Sequence, residues 1–502
     1  MRKKHWTMIV PGAVLLCASP AMGVELRDAV QSALSTNPEI RQAVSNRLAT
    51  QEERIQAQGF YYPRISVEGS AGVRRLKNPT RRRIGISDNT LWPVEGDLIL
   101  DQLVFDSGKR EARIRREASR TDAAAARVEE RSEFIALNVS RTYIDYLLQQ
   151  RLVAIAQDNV TFHERLAADL REGVSKGSIS IADQQQAEER LQAARARVTE
   201  AREDLDASAI AFQTLTGIPV DSVSMPPDLS QCMPATLAEA EGFARINNPR
   251  VQEALADLNA AREETRMAKA DLGPRVNLEG RARAGHDIDG FEGKTTDLQA
   301  LGVLRWDLFT GGINQAAVRE QQHRADEVHG RLFQRTRSAE EDVRNAWSRL
   351  QNQAALVTEL ETQARISDDL LLSYREQFNI GRRSLLDVLD AQNTRNNVQA
   401  QAETARLARV YAQYRVLAAE NRLIECLGVQ MPLAAVGNER RRFRVNPIPP
   451  SDLLENSFPL PPMAPPPPTV VPAAAPMAPM APMEPAPPPP PPAAPAEGQR
   501  GR

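Results

Sequence analysis

The alternation of apolar and polar positions divides the chain into a few long elements. Near residue 65 the period is two: Ile65, Val67, Gly69, Ala71 and Val73 alternate with Arg64, Ser66, Glu68 and Ser70. The pattern returns at Val276, Leu278, Gly280 and Ala282, set against Asn277, Glu279, Arg281 and Arg283. One apolar face and one charged face over about ten residues is the pattern of a strand in a membrane β-barrel, with lipid on one side and water on the other. Return strands are expected at 96–105 and 297–309, each reached through a polar loop. The period then becomes helical. Residues 109–172 contain neither Gly nor Pro, and 313–380 contain only Gly330. Helices of that size are about 100 Å long, more than a compact core needs. Val343, Trp347, Leu350, Ala354 and Val357 step by four and three, a coiled-coil seam. Each long helix turns at a glycine, Gly177 or Gly381, and a second helix returns over 179–216 or 384–427.

These elements are one unit written twice. LRDAVQSALSTNPEIRQAV from Leu26 is matched by LAEAEGFARINNPRVQEAL from Leu237, and YPRISVEG from Tyr62 by GPRVNLEG from Gly273, at an offset of 211. Further on, Phe105 pairs with Phe309, Gly108 with Gly312, Tyr143 with Trp347 and Asp183 with Asp387, at an offset of 204. The loss of seven residues fits a shorter hairpin loop in the second copy. In each copy an Asn-Pro pair, Asn37-Pro38 or Asn248-Pro249, opens a helix: Asn caps the free amides and Pro takes the first turn. Those helices run to about Gly59 and Leu272, where Pro63 and Pro274 stop them. The first repeat is placed at 24–236 and the second at 237–432.

Composition agrees with long helices: 25% of residues are charged and only 5% aromatic. The formal charge of -2 is no nucleic-acid footprint. Arg2, Lys3 and Lys4, a short apolar core over Met8–Leu16 and Ala21-Met22-Gly23 read as a signal peptide over 1–23. A lipid attachment at Cys17 is disfavoured by Leu16, where a small residue is expected. The rest has no run of 18 apolar residues, so no transmembrane helix is expected. Residues 433–502 form a Pro/Ala-rich tail, expected to be disordered, that serves as a spacer, a partner's ligand or nothing specific.

Candidate chemistry gathers at the turns. Ser180–Asp183 and Ser384–Asp387 both match a helix-capping pattern, which gives the two aspartates a structural reading as first-turn acids. Asp390 lies one turn beyond Asp387 on the same face, so the pair forms an acidic spot that a symmetric oligomer repeats as a ring. Phe378–Thr394, FNIGRRSLLDVLDAQNT, resembles the TolC-type outer-membrane factor family, as does the doubled architecture over about 24–428.

The resemblance implies a mainly α fold with a β-barrel. In it a homotrimer contributes four strands per protomer to a shared 12-stranded barrel, above a long α-helical periplasmic tunnel. It also implies a passive exit channel in the outer membrane, without cofactor or catalytic site, that works with a periplasmic adaptor (membrane fusion protein) and an inner-membrane ABC or proton-driven transporter. By position, Asp387 and Asp390 resemble the constriction rings of the entrance. Arg383 resembles the arginine that holds the tip shut, with Asp183 as its acidic partner. Phe378 departs from the tyrosine frequent in that network. YRVLAAENRLIECLG from Tyr414 leans toward type I protein secretion, with multidrug efflux as the alternative. A periplasmic coiled-coil adaptor or scaffold is a further alternative, which leaves the two amphipathic hairpins unexplained.

Cys232 and Cys426 lie just beyond the ends of the two copies and read either as a disulfide or as buried thiols. Arg81, Arg82 and Arg83 fall in the first hairpin loop, either facing lipopolysaccharide phosphates or merely solvated. Asp287, Asp289 and Glu292 around Gly290 have a faint calcium-like spacing but lack the full ligand series, so no metal site is assigned.

Overall fold

The computed structural model describes residues 23–453. The signal-peptide reading, up to residue 22, and the tail beyond residue 453 lie outside them. Helices α1 (Leu26–Thr36) and α2 (Pro38–Gly59) lead into strand β1 (Arg64–Ala71). A loop carries β2 (Arg74–Arg75), α3 (Pro79–Arg83) and β3 (Thr90–Leu91) before β4 (Val94–Phe105). The long helix α4 (Lys109–Ser175) turns into α5 (Ile181–Thr216). The order then repeats as α6 (Leu237–Asn247), α7 (Pro249–Ala270), β5 (Arg275–His286), β6 (Lys294–Arg305), α8 (Ile313–Asn379) and α9 (Leu385–Ala419). Two short helices, α10 (Leu423–Cys426) and α11 (Glu439–Arg442), follow. Both long helices have 67 residues, which corresponds to about 100 Å. None of the described helices is long and apolar enough to cross a membrane.

The capping logic holds locally. Asn37 accepts the Glu39 amide at 2.8 Å and Asn248 the Arg250 amide at 3.0 Å, with Pro at the next position in each. Both tip turns place a glycine, Gly177 or Gly381, at φ 74°, a conformation that a Cβ would strain. The seam on α8 is its inward face: Val343 and Val357 are buried, and Trp347, Leu350 and Ala354 half-buried.

The four long strands form one antiparallel sheet in the order β1-β4-β5-β6. Its register puts Val67, Leu98, Ala282 and Leu298 in one row across one face. Glu68, Asp97, Arg283 and Asp297 form the adjacent row on the other. Both edges, β1 and β6, lack a partner strand among the described residues.

Four expectations need correction. The last strand runs over Lys294–Arg305, not 297–309. Its partner β5 begins at Arg275 behind Pro274, which has no amide to donate, so the ladder ends at the Arg275–Arg305 pair. The second return helix does not continue to 427: α9 ends at Ala419 and Asn421 takes a left-handed φ of 62°. Asn421 stands 204 residues after Gly217, which closes α5 in the same conformation. The first return strand begins at Val94, not 96, and the polar loop before it carries β2, α3 and β3.

The tail, finally, does not begin at 433 as a structureless segment. Asp122 of α4 accepts the backbone amides of Glu439 (2.8 Å) and Arg440 (3.0 Å), and Arg54 of α2 pairs with Glu439 at 3.1 Å. Ile448 joins an apolar cluster with α6, α7 and α8, and Asp452 pairs with Arg262 at 2.8 Å. Residues 433–453 thus reach from the first repeat to the second through apolar and charged anchors.

The largest core lies midway along the helices. Tyr143, Phe212 and Tyr414 are fully buried there with Leu26, Ile135, Leu417 and Leu423. The Tyr143 hydroxyl lies 2.8 Å from the carbonyls of both Val24 and Ser224, and the Tyr414 hydroxyl donates to Pro227 at 2.6 Å. Cys232 and Cys426 meet beside this core as a disulfide with Cα atoms 6.2 Å apart.

Candidate functional site

Two regions carry the chemistry: the tip turns and the inner face of the sheet. At the second turn Ser384 caps α9 and accepts the Asp387 amide at 3.3 Å, while Asp387 accepts the Ser384 hydroxyl at 2.8 Å and its amide at 3.3 Å. The Ser384 hydroxyl, helped by its amide and by Arg383, holds the Asp387 carboxyl below its ordinary range. Asp387 is half-exposed, and Asp390, one turn along the helix, is exposed. Both therefore remain accessible to ions beside the turn.

Arg383 stays within its own turn. It donates to the Gln377 side chain at 3.1 Å, approaches Asp387 at 3.7 Å and stacks 4.2 Å from the centre of the Tyr374 ring. Asp183 is engaged in its own cap, receiving the Ser180 hydroxyl at 2.8 Å. Within one chain the described contacts do not join Arg383 to Asp183. Phe378 packs with Leu385 and Leu389 in an apolar cluster that also holds Leu166 and Leu170 of α4 and Leu191 of α5. It binds the two coils together by burial rather than through a polar link. Tyr374 was missed by the sequence reading. Its signal was its place four residues before Phe378 on the same helical face.

Charges on the inner face of the sheet are paired across strands. Arg281 donates to Asp97 at 2.9 and 3.0 Å, Arg283 pairs with Glu95, and Arg305 with Glu279 at 3.1 Å. The opposite face exposes Val67, Leu98 and Leu298. Phe60, Tyr61, Tyr62, Phe105 and Trp306 are exposed where the sheet meets the helices. Exposed aromatics at the end of an aliphatic band match the girdle pattern of a sheet at a membrane interface.

The far loops correct the reading of Arg81. Arg81 is neither solvated nor open to a ligand: it is buried, donating to the carbonyls of Ile86 (2.7 Å), Asn89 (3.3 Å) and Gly290. It thereby locks the first loop to the second. Asp287, Asp289 and Glu292 do not converge. Asp287 accepts the Gly293 amide at 2.9 Å, Asp289 pairs with Arg283 at 3.1 Å, and Glu292 accepts from Asn89 at 3.2 Å.

An amphipathic sheet with a girdle, set on two antiparallel coils with an acidic turn, defines the class of outer-membrane exit channels. The chain belongs to the outer membrane efflux protein family, which it matches over residues 29–218 and 243–429, one segment per repeat. It is 23% identical over 402 residues to the alkaline protease secretion protein AprF of Pseudomonas aeruginosa, covering 78% of this chain and 83% of that one. It is 22% identical over 427 residues to outer membrane protein TolC of Escherichia coli, covering 81% and 84%. The CmeC outer membrane channel of Campylobacter jejuni superimposes with a TM-score of 0.68 at 15% identity, covering 85% of this chain and 90% of that one. The protein is thus placed in the outer membrane, with its helical part in the periplasm, and its family and fold are those of a channel.

Proposed function

We propose that three copies of the chain close one twelve-stranded barrel above a common helical tunnel. The observation that carries this is the four-stranded sheet with a lipid-type face and two unpaired edges. Open edges leave amides and carbonyls that hydrocarbon cannot satisfy, so a spanning sheet must close on itself. The tunnel receives cargo from an inner-membrane transporter through a periplasmic adaptor and conducts it passively. Protein secretion is the preferred cargo, because the relative AprF is named for protease secretion. Efflux of small molecules is the second reading, favoured by the family's own description.

At the tip, three copies of Asp387 and Asp390 form the acidic constriction. Arg383, released from its own turn, links to Asp183 of a neighbouring coil and holds the tip inward. Such a partly exposed link contributes at most about 1 kcal/mol, and the three act together. Planar-bilayer recording of the purified oligomer tests the reading. The wild type is expected to conduct as a trimer with cation preference, and Asp387→Ala with Asp390→Ala to lose that preference without loss of assembly. A conducting monomer overturns the closed ring. Unchanged selectivity in the double variant returns both aspartates to helix capping alone.

A further inference from the structure

The first hairpin loop has a charge that conduction does not explain. Residues 72–93 contain Arg74, Arg75, Lys77, Arg81, Arg82 and Arg83 but one carboxylate, Asp88, in a chain whose formal charge is -2. The structure sorts these cations. Arg81 is buried and serves the fold. Arg74 is exposed and donates to the Ile288 carbonyl at 3.3 Å. Arg75 and Lys77 share the one carboxylate, each 3.0 Å from Asp88. Arg82 and Arg83 are exposed on α3 with no carboxylate partner among the described residues. The nearby acids of the second loop do not neutralise them, since Asp287, Asp289 and Glu292 are held by other groups.

The position of this excess matters as much as its size. Val73 continues the lipid-facing row of β1, two residues after Ala71, and Trp92 precedes the row of β4, two residues before Val94. Both are exposed, Trp92 to 66%. An exposed Trp at the end of an aliphatic band marks the height of the membrane–water interface. The cations follow immediately beyond it, on the side away from the helices. The Asn78 side chain, which accepts the Arg81 amide at 2.8 Å, caps α3, and the buried Arg81 fixes the segment to the Gly290 carbonyl of the second loop. The cations are thus presented on a braced platform and not on a loose loop.

We propose that the Arg75–Arg83 segment is a docking surface for the phosphorylated headgroup of the outer-leaflet glycolipid. It would take one or two phosphate monoesters through Arg82, Arg83 and the unneutralised share of Arg75 and Lys77, while Trp92 and Val73 lie against the acyl–sugar boundary. Guanidinium groups suit this ligand because they donate two parallel hydrogen bonds to one phosphate. This rests on the sheet being a barrel segment with that loop at its outer end.

The test uses the full-length oligomer and native mass spectrometry, with four probes: bisphosphorylated lipid A, its dephosphorylated form, phosphatidylglycerol and inorganic phosphate. The wild type is expected to retain the bisphosphorylated lipid over the other three, and less of it as salt rises. The variant Lys77→Ser with Arg82→Ser and Arg83→Ser is expected to lose retention by about tenfold or more, at roughly one interfacial charge per residue removed. Arg81 stays intact, so the platform is preserved. Equal retention by the variant overturns the proposal, as does equal retention of the dephosphorylated lipid. Equal binding of phosphatidylglycerol or of free phosphate also overturns it, as unspecific attraction of anions. Conductance is recorded on the same preparations. A wild type that neither trimerises nor conducts indicts the barrel reading. One that conducts but ignores the lipid indicts only the docking surface.

Discussion

Helices α4 and α8 each run for 67 residues at the same place in the repeat, yet α4 buries 27 residues within the chain and α8 nine. The difference follows from topology. Because β4 pairs with β5, the second repeat is laid against the first, and α4 contacts α2, α5, α7 and α9. Its run Ala123–Ala126 is buried, where small side chains let neighbours approach closely. By contrast α8 is packed by α6, α7 and α9 and leaves Leu356, Ile366 and Leu372 exposed. Equal length and equal position in the repeat do not give equal burial. In the proposed ring, α8 is the helix that a neighbouring copy covers.

The largest effect that separates the two helices is expected at their matched aromatics. Tyr143 is fully buried with its hydroxyl bonded, whereas Trp347, its repeat equivalent, is half-buried. Tyr143→Ala is expected to cost about 3–5 kcal/mol and Trp347→Ala about half that, read from denaturation followed by helical circular dichroism. Equal losses would break the comparison.

A smaller effect concerns Glu133, which α4 buries and whose repeat equivalent on α8 is Arg337. Burial pushes the Glu133 carboxyl up to about 8, offset in part by the Ile424 amide at 3.2 Å. Burial also raises Glu420 of the same core, to about 7. A carboxyl whose folded value exceeds its unfolded one binds more protons when folded. Its contribution to stability therefore falls as pH rises from about 4.5 through the folded value. Glu133→Gln should flatten that fall and raise stability above about pH 8, on the order of 2 kcal/mol. Melting curves between pH 5 and 9 check it; an unchanged slope would mean the acid is hydrated.

The smallest difference lies at the tips. Ser384 and Asp387 cap each other reciprocally, while Ser180 accepts the Asp183 amide at 3.1 Å without the full box. Ser384→Ala should cost about 1 kcal/mol and Ser180→Ala somewhat less, both confined to the first turn. Amide exchange over 181–184 and 385–388 would show the ordering, and equal fraying would remove the distinction between the tips.

The repeat, the long helices, the two-faced strands and the Asn-Pro caps were legible because each depends on local period or on a residue's own chemistry. What escaped depended on distant partners. Arg81 looked like one of three loop arginines facing phosphates or solvent, and its burial depends on carbonyls of its own loop and on Gly290 of the second. The strap over 433–453 was hidden because its anchors, Asp122 and Arg54, lie more than three hundred residues earlier. At the site, the acidic turn was visible from spacing, but the Tyr374 ring over Arg383 was not. The end of α9 at Asn421 escaped for another reason: Asn can adopt the left-handed conformation, but a sequence does not announce it as Gly does.

The junction of β4 with β5 joins two repeats inside one chain, and in the proposed ring the free edges β6 and β1 form the same kind of joint between chains. A ring of three such chains alternates covalently linked and unlinked copies of one module, giving a pseudo-sixfold wall. A ring of six identical modules would have to repeat every residue six times. Duplication halves that obligation and lets alternate staves diverge, so that a guanidinium stands at every second turn and a phenol in one copy is replaced by an indole in the other. The wall keeps a sixfold frame while its chemistry is free to be threefold.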